Sequence, residues 1–300
     1  MGTSFTDAVL EARDLSGADL HDADFTRAVL RGCRFDGAAL ADAVFAGAML
    51  EDCSFRGADL HAANFTRAVL RRVRLDDAVL ERAFLLDCAL DDVHWPRARL
   101  VRATLRGLSR LPALEDNAAD MLHCLDCDLS GLRFRRIAAT LVVLQGCRCR
   151  ALDAEDCDLT QLVAMQTDLS GARLLRCRLD RAGLVHSDLS GSELSACSLV
   201  QAHLAHCNLR AAVWRQVDAR QAILAHADLS GAQLPGMDLE MADLSHVHAE
   251  HAVLHDANLR MANLHAARLD DGALRGACLE GVRRTDPARL AAERFSPLSA

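Results

Sequence analysis

Large apolar residues recur along the chain at intervals of five. From Phe5 to Leu105 every fifth residue is Leu, Phe or Trp, and the residue two places earlier is mostly small, such as Ala18 or Cys33. The position between them is often Asp or Asn, as at Asp19. Neither the 3.6-residue period of a helix nor the two-residue period of a strand keeps such a column on one side. The pattern therefore predicts a coil that turns a corner every five residues, with the large and the small residue pointing inward.

A second, longer period predicts four walls per coil. The tetrapeptide Asp-Leu-Ser-Gly begins at five positions, and the last four follow one another at steps of 20 or 40: Asp14, Asp128, Asp168, Asp188 and Asp228. Phenylalanine forms one series with the same spacing, Phe5, Phe25, Phe45 and Phe65, and a shorter one, Phe35 and Phe55. Adjacent coils would pair as parallel strands ~4.8 Å apart. The two phenylalanine series are therefore predicted to stack in the core.

The second half of the chain keeps the same register with compensated exceptions. Between Leu129 and Leu279, 25 of 31 central positions are Leu, Phe or Trp. At five of the six exceptions the position two residues earlier, which is usually small, holds a larger residue, as where Ile137 precedes Ala139. Volume is thus roughly conserved, as a close-packed core requires. At the sixth exception, Cys149, no larger residue compensates. A local slip of the repeat register within residues 132–162 would produce the same sequence pattern.

The five-residue frame changes once. The step from Leu105 to Cys124 is not a multiple of five, so residues 106–123 are predicted to interrupt the solenoid as a loop or a short helix over 113–122. The interruption is either a spacer between two stacks of coils or a protruding recognition loop. The predicted domains are repeat solenoids over 1–105 and 124–282, on either side of this segment.

The last residues, 283–300, leave the repeat. Asp286 followed by Pro287 is typical of the start of a helix. Leu290 and Phe295 would then cover the open final coil, as the terminal caps of solenoids do. We therefore predict a short C-terminal capping helix.

The repeated unit Ala-(Asp/Asn)-Leu-x-x, as in Gly17-Ala18-Asp19-Leu20, resembles that of the pentapeptide-repeat proteins over residues 3–105 and 127–281. The resemblance implies an all-β fold, a right-handed quadrilateral β-helix. It also implies protein partners, because the best-understood members bind DNA gyrase and related type II topoisomerases such as topoisomerase IV. Those members imitate the width and charge of duplex DNA and protect the enzyme from quinolones or from a toxin made by the same cell. The C-terminal elements of the family often dimerise, which makes a homodimer one expectation.

Composition excludes several other classes of function. All 34 basic residues are Arg, and 42 acidic residues give a net charge of −8, which argues against a nucleic-acid binder. No run of 18 apolar residues predicts a membrane span, and no signal peptide opens the chain. We therefore expect a cytoplasmic protein whose 12 Cys are reduced thiols. The cysteines that stack in the small inward position, such as Cys157 and Cys177, are predicted to be buried as small hydrophobes.

Acidic residues are concentrated in two windows of the second half. Residues 124–282 hold 20 acids and 15 Arg, which is dilute beside the one charge per ~1.7 Å of duplex DNA. Residues 151–170 hold five acids and no Arg, and residues 216–259 hold seven acids and one Arg. An acidic strip in these windows could imitate the edge of a DNA groove. The candidate partner-binding acids are Asp153, Glu155, Asp156, Asp158, Asp168, Asp188, Asp228, Asp238, Glu240 and Asp243.

Outward apolar residues support a different hypothesis. A contiguous apolar patch on a soluble protein often marks a partner surface. In this chain the predicted outward positions include Val143, Val163, Met165, Val185 and Ile223. The alternative function is therefore a scaffold or accessory protein that docks another partner through this face.

Histidines provide the remaining candidate chemistry. Four recur with the longer period and should stack on one corner, at His186, His206, His226 and His246. The stack is an acid-sensitive seam, an adventitious metal site or a solvated corner without a role. A zinc site from His246, His248, His251 and His255 is disfavoured, because no His-Glu-x-x-His occurs and the coil would spread them over different walls. We predict no metal and no cofactor. A tube filled by its own side chains has no cleft for a reaction, so we expect no catalytic residues.

Overall fold

The computed structural model describes residues 2–270 and 272–293. Within that part the chain is built almost entirely of short parallel β-strands and single β-bridges. Each residue pairs with the equivalent residue of the neighbouring coil, as Leu10 does with Leu30 and Leu30 with Leu50. The predicted all-β repeat solenoid is confirmed. By its internal contacts the chain divides into two compact units, residues 1–163 (unit 1) and 164–300 (unit 2).

Unit 1 contains twelve strands among the described residues. They are β1 Val9–Glu11, β2 Val29–Arg31, β3 Met49–Glu51, β4 Val69–Arg71, β5 Phe84–Leu86, β6 Ala89–Asp91, β7 Thr104–Arg106, β8 Leu114–Glu115, β9 His123–Leu125, β10 Arg133–Arg135, β11 Val143–Gln145 and β12 Asp153–Glu155. Each strand turns its central residue into the bore, so Leu30, Leu50 and Leu70 are buried there. Single bridges such as Asp24 with Val44 continue the pairing on other walls.

Phenylalanine rings fill the bore at the start of unit 1. Phe25, Phe45 and Phe65 stack with centroid separations of 4.8 and 4.9 Å and interplanar angles of 2° and 4°. Phe35 and Phe55 form the second stack, with centroids 4.7 Å apart. Rings of the two stacks meet edge to face, which is a favoured aromatic geometry, and all five are at most 1% exposed. Phe5 continues the first stack at its open end, 4.7 Å from Phe25.

Residues 106–123 do not interrupt the stack of coils. Strand β7 pairs with β9, so Leu105 and Cys124 are neighbours in consecutive coils, and β8 pairs with β10. The predicted helix over 113–122 is wrong, and so is the protruding loop. Leu114, Ala119 and Leu122 are buried at inward positions, and their burial outweighs the local preference for helix. This coil is simply one residue shorter than its neighbours, and the shortening falls between β7 and β8.

A buried asparagine completes the hydrogen bonds of the shortened coil. Asn117 occupies an inward position that is usually Ala, and it is 1% exposed. Its side-chain amide donates to the carbonyl oxygens of Trp95 (2.7 Å) and Ala98 (3.0 Å), and its Oδ1 accepts from the Glu115 N–H (2.7 Å). The Trp95 Nε1–H donates to the Ala113 carbonyl at 3.1 Å. Two side chains thus satisfy backbone groups where the regular repeat is broken.

Unit 2 repeats the same coils with a core mostly of leucine. Its strands are β13 Arg173–Leu175, β14 Glu193–Ser195, β15 Val213–Arg215, β16 His248–Ala249 and β17 Arg268–Leu269. Val217 and Ala219 are both buried, as the compensation of volumes predicts. In unit 1 the register of the uncertain stretch is also settled, because Phe134 pairs with Ala154 one full coil later and both are buried.

One short helix follows the last described coil. Helix α1 spans Pro287–Glu293, and Asp286 caps it by accepting the N–H groups of Ala288 (2.9 Å) and Arg289 (3.2 Å) at Oδ1. Leu290 is half-buried, whereas the other predicted capping residue, Phe295, lies outside the described residues. No helix in the described part of the chain has the length and apolar character needed to cross a bilayer.

Candidate partner-binding surface

Four histidines form one corner of unit 2. His186, His206, His226 and His246 all have a left-handed backbone, with φ between 58° and 61°. Their rings stack almost in parallel, with successive centroids 4.6, 4.8 and 4.6 Å apart. The spacing of one coil per histidine predicts this stack, and we call it the histidine column. The first three members are exposed and His246 is half-buried.

Neighbouring rings disfavour protonation of His226. Partial burial lowers the pKa of His226, and the charges that His246 and His206 would carry lower it further. A cation in one ring therefore opposes a cation in the next, because the rings are less than 5 Å apart. His226 thus favours a neutral imidazole near neutral pH.

A second column, mostly aspartate, lies two residues further along each coil. It contains Asp168, Asp188, Asn208 and Asp228, joined by successive parallel bridges. The side chains of the three aspartates also hold the chain at the corner, since each Oδ1 accepts the N–H of the serine two residues later at 2.9 to 3.1 Å. We call this set the aspartate column. It places one polar acceptor on each coil.

Hydrogen bonds keep Asp228 of this column ionised. Partial burial acts to raise the pKa of Asp228, but hydrogen bonds from Ser230 and from the Arg210 guanidinium outweigh it and lower the pKa. Arg210 Nη1 lies 3.1 Å from Asp228 Oδ2. Asn208 donates from Nδ2 to Asp188 Oδ1 at 3.0 Å, which separates two carboxylates along the column.

The other predicted acids do not join this column. In unit 2, Asp238 forms a bridge with Asp218 on one wall, next to Glu240, and Asp243 forms a bridge with Ile223 on another. Asp238 and Asp243 each accept a hydrogen bond from an asparagine of the next coil, at 2.9 and 2.8 Å. The acidic sequence window 216–259 therefore does not fold into one acidic strip.

The acids of unit 1 are arranged around an arginine. Asp153 and Glu155 flank the buried Ala154 in β12, and the Arg135 guanidinium contacts both carboxylates, at 2.5 and 3.4 Å. Asp156 follows at a left-handed corner, with φ of 55°. On the next wall, Asp158 accepts hydrogen bonds from the N–H and hydroxyl of Thr160. Arg135 thus pairs with two of the five acids that the sequence window 151–170 contains.

Apolar residues flank the histidine column in unit 2. Met165 is 54% exposed, and the half-buried Val185 occupies the same position one coil later. Val185 directly precedes His186, so the apolar and imidazole positions are adjacent. Ile223 is 39% exposed and forms a bridge with His203. In unit 1, Val143 and Val163 form a bridge of their own.

Sequence reasoning missed a second exposed apolar corner. Met241 and Met261 are 53% and 51% exposed, and they occupy equivalent corners of consecutive coils, with φ of 60° and 59°. Their separation by one full coil was the signal that could have identified them. A flexible thioether at such a corner suits a contact surface that adapts to its partner.

The histidines of the disfavoured zinc hypothesis do not converge. His246 and His248 flank the buried Val247 and belong to different walls, and His251 pairs with Asp270, 3.0 Å away. Among the described residues, the donor atoms that do converge are those of His246, His265 and Glu293, all within 4.8 Å of one another. A pocket of about 500 Å³ lies beside them, lined by His226, His246, His248, Ala266, Ala267, Arg268, Thr285, Leu290 and Glu293.

His265 and Glu293 escaped sequence reasoning for different reasons. His265 falls one residue short of a full coil after His246, so it belongs to the position of Ser245 and not to the histidine column. It is 2% exposed. Glu293 ends α1, and nothing in the repeat predicts where that helix rests.

Solved structures of several repeat proteins resemble this chain. HetL of the cyanobacterium Nostoc sp. strain PCC 7120, which is involved in heterocyst differentiation regulation, is 24% identical over 94% of this chain and 87% of its own, with a TM-score of 0.26. QnrB1, a plasmid-mediated fluoroquinolone resistance protein, is 17% identical over 71% of this chain and 99% of its own, with a TM-score of 0.22. Rfr23 of Cyanothece 51142 is 21% identical over 43% of this chain and 84% of its own, with a TM-score of 0.17.

These identities and TM-scores assign no partner to the chain, and no curated protein sequence matches it. Models of sequence families give the assignment instead. A pentapeptide repeat region matches residues 3–80, and eight-copy pentapeptide repeats match residues 166–195, 197–236 and 242–281. Together the matches cover more than half of the chain. The chain therefore belongs to the pentapeptide-repeat family.

Proposed function

We propose that this protein is a non-catalytic binding protein that acts through the outside of unit 2. The observation that carries the proposal is the division between a filled bore and repeated outward columns. Trp214, Leu224 and Leu244 are at most 1% exposed, so the bore offers no space for a substrate. The histidine column, the aspartate column and the neighbouring Met165 and Val185 remain available to a partner.

The specific partner that we propose is DNA gyrase or topoisomerase IV, bound by imitation of DNA. The aspartate column supports this, because three of its four members are carboxylates on coils ~4.8 Å apart, one of them, Asp228, being paired with Arg210. The phosphates of one DNA strand are ~3.4 Å apart along the axis. The column therefore provides a row of negative charges that is sparser than a row of phosphates. The neutral His226 next to it adds no charge that would oppose this likeness.

A supercoiling assay tests this proposal. We expect the purified full chain to inhibit gyrase, or to relieve its poisoning by a quinolone, at micromolar concentration. A triple variant, Asp168→Asn, Asp188→Asn and Asp228→Asn, should lose at least about tenfold of the effect, because each desolvated charge pair contributes strongly to an interface. Asn keeps the Oδ1 acceptor of the corner, so the fold is retained.

A matched triple variant on other walls provides the control. Asp153→Asn, Asp238→Asn and Asp243→Asn remove the same charge outside the aspartate column. They should leave inhibition within about twofold of wild type. The gyrase proposal fails if the wild-type chain has no effect at micromolar concentration, or if both triple variants lose the same activity.

A scaffold or accessory protein is the second candidate function. The exposed Met165 beside Val185 favours it, since a contiguous apolar surface is a typical docking site. Met165→Asp with Val185→Asp should abolish capture of the native partner in pull-downs from the host, whereas the triple aspartate variant should not. Sedimentation of the full chain tests the homodimer that the family implies.

A further inference from the structure

The histidine column ends at a cluster with a different geometry. Within the column the rings are almost parallel, and successive ring centroids lie 4.6 to 4.8 Å apart. A tetrahedral zinc ion with bonds of about 2.0–2.1 Å needs donor atoms about 3.3 Å apart. Neighbours in the column point their nitrogen lone pairs in nearly the same direction, so they do not direct two donors at one ion. The ring of His265 breaks this arrangement, because it is turned by 72° relative to His246.

The turned ring brings two imidazoles onto one carboxylate. The Nε2 atoms of His246 and His265 each lie 3.1 Å from Oε2 of Glu293. We propose that His246, His265 and Glu293 bind a single zinc ion. Two imidazole nitrogens and one carboxylate oxygen are a donor set that zinc accepts, and a fourth position then stays open for water. The two observed nitrogen–oxygen separations are close to the edge of such a tetrahedron.

The surroundings of Glu293 hold its carboxylate in a suitable orientation. Arg289 Nε donates to Glu293 Oε1 at 2.7 Å, which leaves Oε2 facing the two histidines. The hydrogen bond from Arg289 and that from His265 together lower the pKa of Glu293, so the carboxylate is ionised at neutral pH. Outer hydrogen bonds of this kind orient the ligands of metal sites.

The other nitrogen of His265 gives the proposal a specific signature. The Asp286 N–H donates to His265 Nδ1 at 3.2 Å, so in the absence of metal the ring proton is on Nε2 and points to Glu293. Zinc on Nε2 requires that proton to move to Nδ1. The Asp286 N–H would then lose its acceptor. Zinc binding thus competes with one hydrogen bond at the start of α1 and should change the environment of that amide.

The pocket beside the cluster would border the open coordination position. Two of the proposed ligands, His246 and Glu293, line this space of about 500 Å³, and so does Arg268. The open position can therefore hold water or a small anion next to a guanidinium. The ion would also tie α1 to the coils, since Glu293 comes from the helix and the two histidines come from the solenoid.

Titration of the chelator-stripped full chain with Zn²⁺ tests the site. We expect one tight equivalent by calorimetry, a visible absorption spectrum of tetrahedral Co²⁺ with the cobalt-substituted protein, and a shift of the Asp286 amide resonance. Glu293→Gln and His265→Gln each remove a direct ligand and should weaken binding by more than the roughly 10- to 100-fold that loss of an outer-shell partner costs. His186→Gln removes a histidine from the far end of the column and should leave the tight equivalent unchanged.

The result that overturns the proposal is equally specific. If Zn²⁺ binds no more tightly to the wild-type chain than to Glu293→Gln, the three side chains form a hydrogen-bonded contact only. If His186→Gln weakens binding as much as His265→Gln does, the column binds metal without this site. Circular dichroism melts of each variant confirm that the coils are intact. Glu293 lies in α1, outside the coils, so its variant keeps the test valid should the buried His265→Gln fail to fold.

Discussion

Unit 1 and unit 2 each contain a stack of flat rings, and the two stacks have nearly the same spacing. The phenylalanine centroids of unit 1 are 4.7 to 4.9 Å apart, and the histidine centroids of unit 2 are 4.6 to 4.8 Å apart. The coil repeat sets the spacing of any column, whether its side chains point inward or outward. The phenylalanines are in the bore and the histidines are on the surface.

In this repeat protein, inward rings contribute to stability and outward rings are available for function. Rings inside the bore lose all contact with water, so their burial stabilises the fold. Rings outside gain little from stacking, yet they can still bind a proton, a metal ion or a partner. The position of a residue within the pentapeptide decides which of the two roles is open to it.

The largest effect that we expect comes from the inner stack. Phe45 touches Phe25 and Phe65 face to face and Phe35 and Phe55 edge to face. Phe45→Ala should lower the free energy of unfolding by about 3–5 kcal/mol, because a close-packed bore cannot collapse around the cavity. Urea denaturation followed by circular dichroism measures the change. A loss below about 1 kcal/mol would contradict the close packing of this stack.

A smaller effect is expected at the shortened coil of unit 1. Asn117→Ala leaves the carbonyl groups of Trp95 and Ala98 and the N–H of Glu115 without their side-chain partner. At about 1–3 kcal/mol for a buried group left unsatisfied, we expect a loss of about 2–3 kcal/mol after local relaxation. The same denaturation assay measures it.

An insertion provides the control for that prediction. One Gly added between Leu111 and Pro112 restores the regular coil length. In this background Asn117→Ala should cost less than in the natural chain, because the regular ladder can then supply the missing partners. An equal cost in both backgrounds would show that Asn117 does not compensate for the missing residue.

The smallest effect is expected in the outer stack. His206→Gln removes a ring from the middle of the histidine column, and Gln already occupies the equivalent left-handed corner at Gln166. We expect a change within about 0.5 kcal/mol, as for other surface substitutions. Thermal melts at neutral pH measure it. A loss comparable to that of Phe45→Ala would erase the contrast between the two stacks.

Sequence reasoning succeeded where the repeat is regular. The inward positions of both units, the corner of the histidine column and the compensated volume at Val217 and Ala219 all follow from intervals of five and 20. It failed over residues 113–122, where a run of Ala and Leu suits a helix. The inward burial of Leu114 and Leu122 overrides that preference, and this burial exists only once the neighbouring coils are in place.

The candidate surface could be predicted only in part. The aspartate column repeats once per coil and is visible in the sequence. The other acids of windows 151–170 and 216–259 are dense in sequence but spread over several walls. The role of the candidate acids in binding stays a prediction. Acids that are close together in the sequence need not be close together on the surface, because the chain turns onto a new wall every five residues.

By itself, the sequence determined which side chains enter the bore and which column each outward residue joins, because the five-residue spacing acts locally and identically in every coil. Only the tertiary structure decided how a shortened coil stays in the stack and where α1 rests. The contacts of Asn117 with Trp95 and of Glu293 with His265 join residues 22 and 28 positions apart that no period relates. Such contacts depend on the packing of the completed coils.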